Sequence, residues 1–388
     1  MKILIVTRGK LPLPNIRGGA VEYLIQLLID ENEKSWHEDF TVVSIDSQGL
    51  EAVQEKYRFC KFINIDLSSF YAKVNTAVRY LINTRIKYIG NSFIAEFLSR
   101  IDNRINDFDV VIDENAPDFL PLLRKKYNGR LIFHSHNDWI DDRNVTVLDN
   151  CDEYWTISNY LLNKFKSNKL SCKTKVLYNG IDIDSYAYPD KALTDKFRRQ
   201  FGIKEEDIVL IYAGRVVPEK GVLEMLKAFE NCTFPQNVKL LIAGGHFYSS
   251  TKTTPYIDEC KKFAGENVIF TGYIEGKEMP TLYGLAAIGI FPSRCQEAFG
   301  LTVLEMMSGG LPVITTRNGA IPEIVDESCG YLISTDDNEV WIREMGDKMK
   351  ILVDNKKIRN EMGQAGKMKA RKFSAESYLD CFYKYLRG

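Results

Sequence analysis

The sequence predicts an α/β protein made of two doubly wound parallel sheets. Short apolar runs alternate with helical patterns along nearly the whole chain, they fall into two series, and a polar stretch at 183–196 separates the series. In the first series, strands are expected at 3–7, 40–45, 110–113, 131–134, 153–156 and 174–178. In the second they are expected at 208–213, 238–243, 268–270, 287–292 and 313–316. Runs this continuously apolar belong to strands covered on both faces, which is the parallel-sheet arrangement. Two such series predict two doubly wound units. The first is expected over residues 1–185 and the second over 186–372. A final helix is expected at 375–386, with Tyr378, Leu379, Phe382, Tyr383 and Leu386 at helical spacing.

Bulk properties exclude several classes of function. The 388 residues are 45% hydrophobic and 27% charged, as in a water-soluble globular chain, and the formal net charge of −1 gives no field for nucleic acid. No apolar run approaches a membrane span. The first residues, Met1 to Thr7, read as a strand and not as a signal peptide. Eight cysteines are scattered without a Cys-x-x-Cys pair, and only four histidines are present. The pattern suits free thiols in a reducing cytoplasm and leaves little material for a metal cage.

The most informative segment runs from Phe291 to Glu305. An apolar strand leads into Glu297-Ala298-Phe299-Gly300-Leu301, a helix is expected to start at Gly300, and Glu305 falls about one turn into it. Exposed amides at a helix start suit a phosphate, and acids on either side suit hydroxyl groups. A sugar nucleotide has that layout of sugar, diphosphate and ribose. With the exit Ser308-Gly309-Gly310-Leu311-Pro312-Val313, the segment resembles the retaining glycosyltransferases of family 4, the glycosyl transferases group 1.

That resemblance implies a GT-B fold, two Rossmann-like domains facing across a cleft, with residues 373–388 packing back on the first domain. It places Glu297 on the donor sugar and Glu305 on the ribose, with Ala298, Phe299, Gly300 and Leu301 forming the phosphate turn. A second cluster, Gly214-Arg215-Val216-Val217-Pro218-Glu219-Lys220-Gly221, puts two cations at the end of a strand. The family pattern assigns Arg215 and Lys220 to the diphosphate, where fixed positive charge stabilises a departing anion; a surface ion pair with Glu219 is the plain alternative. The resemblance also implies that the backbone at Ile274 pairs with the nucleobase and that Gly18-Gly19 closes over the diphosphate. Gly18-Gly19 is not part of a Gly-x-Gly-x-x-Gly fingerprint, which counts against a nicotinamide cofactor.

At the end of the strand expected at 131–134, His134 takes the place of a family histidine that bonds the donor sugar. His136, Asn137 and Asp138 fall on the acceptor side, together with Glu114 or Asp113, for which helix capping is an equal reading. Which of His134 and His136 meets the sugar stays open. With no third ligand at useful sequence spacing, the histidine pair is not read as a metal site. Asp182 and Asp184 are read as linker residues.

The expected activity is therefore metal-independent hexosyl transfer from a nucleoside-diphosphate sugar, UDP foremost, to a hydroxyl of a glycan or lipid-linked glycan. No cofactor is expected beyond the sugar nucleotide as co-substrate. A bacterial surface-polysaccharide pathway in the cytoplasm is the default setting. A UDP-sugar epimerase and an inactive nucleotide-sugar-binding protein are the alternatives. Residues 68–105 mix Val74, Val78 and Leu81 with Lys73, Arg79, Arg85, Lys87, Arg100 and Arg104. The first reading is a core helix with a solvated basic face, and the second is contact with an anionic membrane surface.

Overall fold

The computed structural model describes residues 1–85, 90–164, 170–246 and 253–388. The chain divides into two compact units, residues 1–178 with 381–388 and residues 179–380. Each is built on one all-parallel sheet with helical crossovers.

The first unit holds β1 (Lys2–Thr7), β2 (Asp39–Ile45), β3 (Cys60–Ile65), β4 (Val110–Glu114), β5 (Arg130–Ser135), β6 (Glu153–Thr156) and β7 (Lys173–Val176). Their order in the sheet is β3-β2-β1-β4-β5-β6-β7. Central strands carry apolar side chains on both faces: Ile3, Leu4, Ile5 and Val6 of β1 are all fully buried. Each such side chain contributes about 1.5–3 kcal/mol by leaving water. The connection reverses direction between β1 and β4, the place where open α/β sheets bind ligands. There the strand ends lie in register, Thr7 beside Glu114 and Glu114 beside His134.

The second unit holds β8 (Ile208–Ala213), β9 (Val238–Ala243), β10 (Val268–Gly272), β11 (Ile288–Phe291), β12 (Val313–Thr316) and β13 (Gly330–Ile333). Their order is β10-β9-β8-β11-β12-β13, so the switch point falls between β8 and β11. Leu210, Tyr212, Leu240, Ile242, Ile288 and Ile290 form its core with Trp341, Met345 and Met349 of the helix Asn338–Asp354. All eight cysteines are free.

The last helix, Ala375–Arg387, carries the expected apolar face. Within the first unit, Phe382 meets Trp155 edge-on with centroids 5.8 Å apart, and Arg130 Nη2 donates to Tyr385 O at 2.9 Å. Residues 68–105 depart from the core-helix reading. The helix Ser92–Ile101 is a core element, burying Phe93, Ile94 and Phe97. The helix Phe70–Arg85 lies on the surface instead, with Val74 45%, Val78 47% and Leu81 53% exposed. Thr76 Oγ1 donates to Ser92 Oγ at 2.8 Å, and Asn83 Nδ2 donates to Gly90 O at 3.1 Å. Lys87 lies outside the described residues.

Candidate active site

In the second unit the two segments singled out in the sequence meet at the β8/β11 switch point. β8 ends at Ala213, and Gly214 turns the chain at φ +145°, its N–H donating to Ala243 O at 2.9 Å. The Tyr212 hydroxyl donates to Arg215 O at 2.6 Å and steadies the turn that follows. Gly221, at φ +69°, starts the helix Val222–Glu230 hard against the other loop. A Cβ there would lie 2.0 Å from Pro292 O, so only glycine permits this backbone approach. Arg294 N donates to Glu219 O at 2.9 Å and ties the loops together.

Lys220 Nζ lies 2.5 Å from Glu297 Oε1, the Ser293 hydroxyl donates to the same oxygen, and the Phe291 ring sits beneath the ammonium at 5.3 Å. The expected sugar ligand and the expected diphosphate ligand are thus partners of each other. Arg215 is more loosely held, half-exposed and 3.7 Å from Glu219 Oε1. Its plain alternative as a surface pair is therefore present, but at a distance that leaves the guanidinium available.

Glu297 is also fixed from behind. Ala320 N donates to Glu297 O at 2.8 Å, and Gly319 N donates to Gln296 Oε1 at 2.8 Å. Gly319 has φ +64°, and a Cβ on it would sit 2.2 Å from Glu297 O and 2.4 Å from Glu297 N. Gly319→Ala is expected to cost about 1–3 kcal/mol of stability and to weaken ligand binding by displacing Glu297. The comparison is Gly202→Ala, at φ +63° with nothing within 4 Å, which carries the backbone strain without the clash. Denaturant titrations of both variants separate the two contributions.

Phe299 is buried, and Gly300 at φ +113° opens the helix Leu301–Ser308. The first amides of such a helix have no acceptor within it and point at whatever lies before it. Glu305, on the same helix, accepts from the Tyr283 hydroxyl at 3.0 Å. Burial pushes its carboxyl up to about 7, and the Tyr283 bond opposes that only in part. Ile274 follows β10, the outer strand of the sheet, and is half-buried. Asp182 and Asp184 flank the start of a short 3-10 turn, Ile183–Tyr186, that has no buried residue.

In the first unit, Gly18 (φ +84°) and Gly19 (φ +110°) lead into the helix Ala20–Lys34, and a Cβ on Gly18 would meet nothing within 4 Å. Glu22, in the first turn of that helix, is pushed upward chiefly by burial and further by the charge of Glu114. Glu114 lies between the two histidines, with Oε2 2.7 Å from His136 Nε2 and 3.1 Å from His134 Nδ1. The third group missing from the sequence reading is thus supplied by a neighbouring strand. Among the described residues these three are the buried set whose donor atoms lie close enough for a cation, within 4.8 Å of one another. Asp113 caps the following turn, accepting from Ala116 N at 2.9 Å. Asp138 is engaged by Lys164 Nζ at 3.2 Å, and Asn137 O accepts from the Ser135 hydroxyl at 3.0 Å.

Sequence reasoning missed Tyr283, Ser293 and Gly319. Ser293 stood within the quoted segment and Gly319 follows β12 in an Asn-Gly pair, a turn signal. Tyr283 had no local signal.

Two Rossmann-like units, the second with its acids and cations at the switch point, define the GT-B class. Residues 194–369, within the second unit, match the family described as Glycosyl transferases group 1. The chain is 23% identical over 388 residues to spore coat protein SA of Bacillus subtilis, covering 95% of this chain and 94% of that one. It is 27% identical over 231 residues to a lipopolysaccharide 1,2-N-acetylglucosaminetransferase of Salmonella typhimurium, 58% of this chain and 59% of that one. Among solved structures, HepE of Anabaena in complex with UDP matches over 100% of both chains with a TM-score of 0.73 at 17% identity. Sucrose-phosphate synthase from Thermosynechococcus elongatus matches with a TM-score of 0.76 at 18% identity, covering 100% of this chain and 98% of that one. At such identities the structural likeness establishes the fold.

Proposed function

We propose that the protein is a retaining hexosyltransferase that takes its sugar from a nucleoside diphosphate, UDP foremost. The acceptor is a hydroxyl of a glycan or lipid-linked glycan in bacterial surface-polysaccharide synthesis. The observation that carries this reading is the Lys220–Glu297 pair at the β8/β11 switch point, beside a helix start at Gly300 and with Glu305 further along that helix. HepE, of the same fold, has been solved with UDP and with UDP-glucose, and the lipopolysaccharide enzyme of Salmonella is named for transfer of an amino sugar.

In this reading Arg215, Lys220 and the amides of Phe299, Gly300 and Leu301 hold the diphosphate. Glu305 takes the ribose, Glu297 the sugar hydroxyls and the backbone at Ile274 the base. Negative charge grows on the diphosphate as the glycosidic bond breaks, and fixed cations at that place lower the barrier. The acceptor hydroxyl attacks on the face the diphosphate leaves, and a diphosphate oxygen takes its proton. Positive charge from Arg215 and Lys220 takes the part that a cation plays elsewhere. The Gly18-Gly19 turn and the His134/His136 pair are taken as the first unit's own phosphate and saccharide ligands. A cytoplasmic site of action at the inner membrane face fits a lipid-linked acceptor.

The test is thermal stabilisation by UDP, GDP and ADP, followed by hydrolysis of the matching sugar nucleotides. A ligand at one hundred times its dissociation constant adds about 2.7 kcal/mol of stability. UDP is expected to give the largest shift; no shift with any of the three removes the proposal.

Contact with an anionic membrane surface is the second part of the proposal. Among the described residues no helix is long and apolar enough to cross a membrane. The surface row of Val74, Val78 and Leu81 recurs at i, i+4 and i+7, and the helix that carries it has Lys73, Arg79 and Arg85 but no acidic residue. Such a face suits the headgroup region of an anionic bilayer. Co-sedimentation with phosphatidylglycerol vesicles is expected to exceed that with phosphatidylcholine vesicles. Val78→Asp with Leu81→Asp is expected to lower it at least tenfold while UDP binding stays unchanged.

A further inference from the structure

The ends of β4 and β5 place Glu114 and His134 side by side, and His136 follows two residues on. Asn115, at φ +65°, locks this corner: its N–H donates to His134 O at 2.9 Å and its side chain accepts from His136 N at 3.1 Å. Glu114 is 2% exposed and His136 7%. A carboxylate at such depth is pushed up by burial, yet the two imidazoles more than offset this and hold Glu114 down at about 2. Burial, with help from His134, depresses His136 to about 4. At neutral pH an ionised carboxylate therefore faces a neutral imidazole.

An ionised carboxylate can only accept, so the nitrogen facing it must carry the proton. His136 Nε2 meets Glu114 Oε2 at 2.7 Å with hydrogen-bond geometry. The ring is then the Nε2–H tautomer, and Nδ1 holds a bare lone pair. That Nδ1 is buried and has no partner among the described residues. A buried acceptor left unpaired costs about 1–3 kcal/mol, a cost a ligand hydroxyl would remove.

We infer that Glu114 is a positioning residue, which fixes the His136 tautomer so that Nδ1 accepts a hydrogen bond from a saccharide hydroxyl. The inference rests on the proposed function for the identity of the ligand. Asn115 holds the backbone, Glu114 sets the proton, and His136 makes the contact.

The test is the nitrogen chemical shifts of His136 in 15N-histidine-labelled protein. The free protein is expected to show a protonated Nε2 and an unprotonated Nδ1 between pH 6 and 8. Glu114→Ala is expected to lose that single tautomer and to lower UDP-glucose hydrolysis or transfer at least tenfold. Glu114→Gln, whose carbonyl still accepts from Nε2–H, is expected to recover much of both. Titration with UDP, UDP-glucose and free glucose identifies the hydroxyl. A shift at Nδ1 with UDP-glucose but not with UDP assigns it to the donor, and a shift with glucose alone assigns it to the acceptor. A protonated Nδ1 in the free protein, an unchanged tautomer in Glu114→Ala, or no Nδ1 shift with either saccharide would overturn the inference. So would stoichiometric uptake of Zn²⁺ by the chelator-treated protein that is lost in His136→Ala. The tautomer is read without nucleotide, so its failure is distinct from a failure of UDP to bind the second unit.

Discussion

Lys220→Ala is expected to lower turnover by about 10²–10³ while changing UDP affinity much less. The Lys220 ammonium is paired with Glu297 at 2.5 Å, and both side chains are about 15% exposed. A ground-state diphosphate must win Lys220 away from that carboxylate, so the net gain on binding is small. In the transition state the diphosphate carries more charge, and the balance moves toward the phosphate oxygens. Lys220 thus acts mostly on kcat, and the carboxylate it releases becomes free for sugar hydroxyls. Loss of the ammonium also leaves Glu297 with the Ser293 hydroxyl as its side-chain partner, so a modest loss of stability accompanies the kinetic one. Single-turnover donor hydrolysis with a parallel UDP titration separates the two effects. An equal loss in affinity and turnover would mean that Lys220 only binds.

Glu305→Gln is expected to stabilise the free protein at pH 8 and to weaken UDP binding about tenfold or more. In the unfolded chain this carboxyl titrates near 4.5, and in the folded protein burial moves it to about 7. Below 4.5 both forms are protonated and Glu305 has no effect on stability. Between 4.5 and 7 the unfolded chain gives up the proton first, so stability falls as pH rises through that window. Above 7 the loss is complete, about 3 kcal/mol for a displacement of this size. Gln keeps an acceptor for the Tyr283 hydroxyl and removes the charge, so the variant should lack this slope. The carboxylate is retained at that cost because hydrogen bonds from ribose hydroxyls to a charged acceptor are worth about 1.5–3 kcal/mol. Urea unfolding at pH 4.5, 6 and 8, set beside UDP titration, reads both halves of the prediction. A variant no more stable than the parent at pH 8 would show that the carboxylate is not under strain.

Both sheets, and the grouping of the second unit's candidate residues, were legible because their signals are local. Continuous apolar runs marked eleven strands, and the missed two are at sheet edges. β3 is broken by Lys61 and Asn64, and its half-buried pattern lacks the run of a central strand. β13 is four residues long and opens on a glycine. Glu297, Gly300 and Glu305 share one short stretch, so their grouping could be read directly. Tyr283 reaches Glu305 from 22 residues away, and Glu114 reaches His136 across 22. Such pairs depend on which strands and helices become neighbours, and neither residue carries that information alone. The helix Phe70–Arg85 misled for a different reason. Its apolar row has helical spacing, but periodicity reports that a face exists and not whether the protein covers it.

A crystal structure with UDP bound is the most direct test of the central claim. The account predicts diphosphate oxygens within about 3 Å of Lys220 Nζ and of the amides at Gly300 and Leu301, with ribose hydroxyls on Glu305 and the Lys220–Glu297 pair opened. UDP bound elsewhere, with Lys220 still on Glu297 and the Gly300 turn bare, would contradict it.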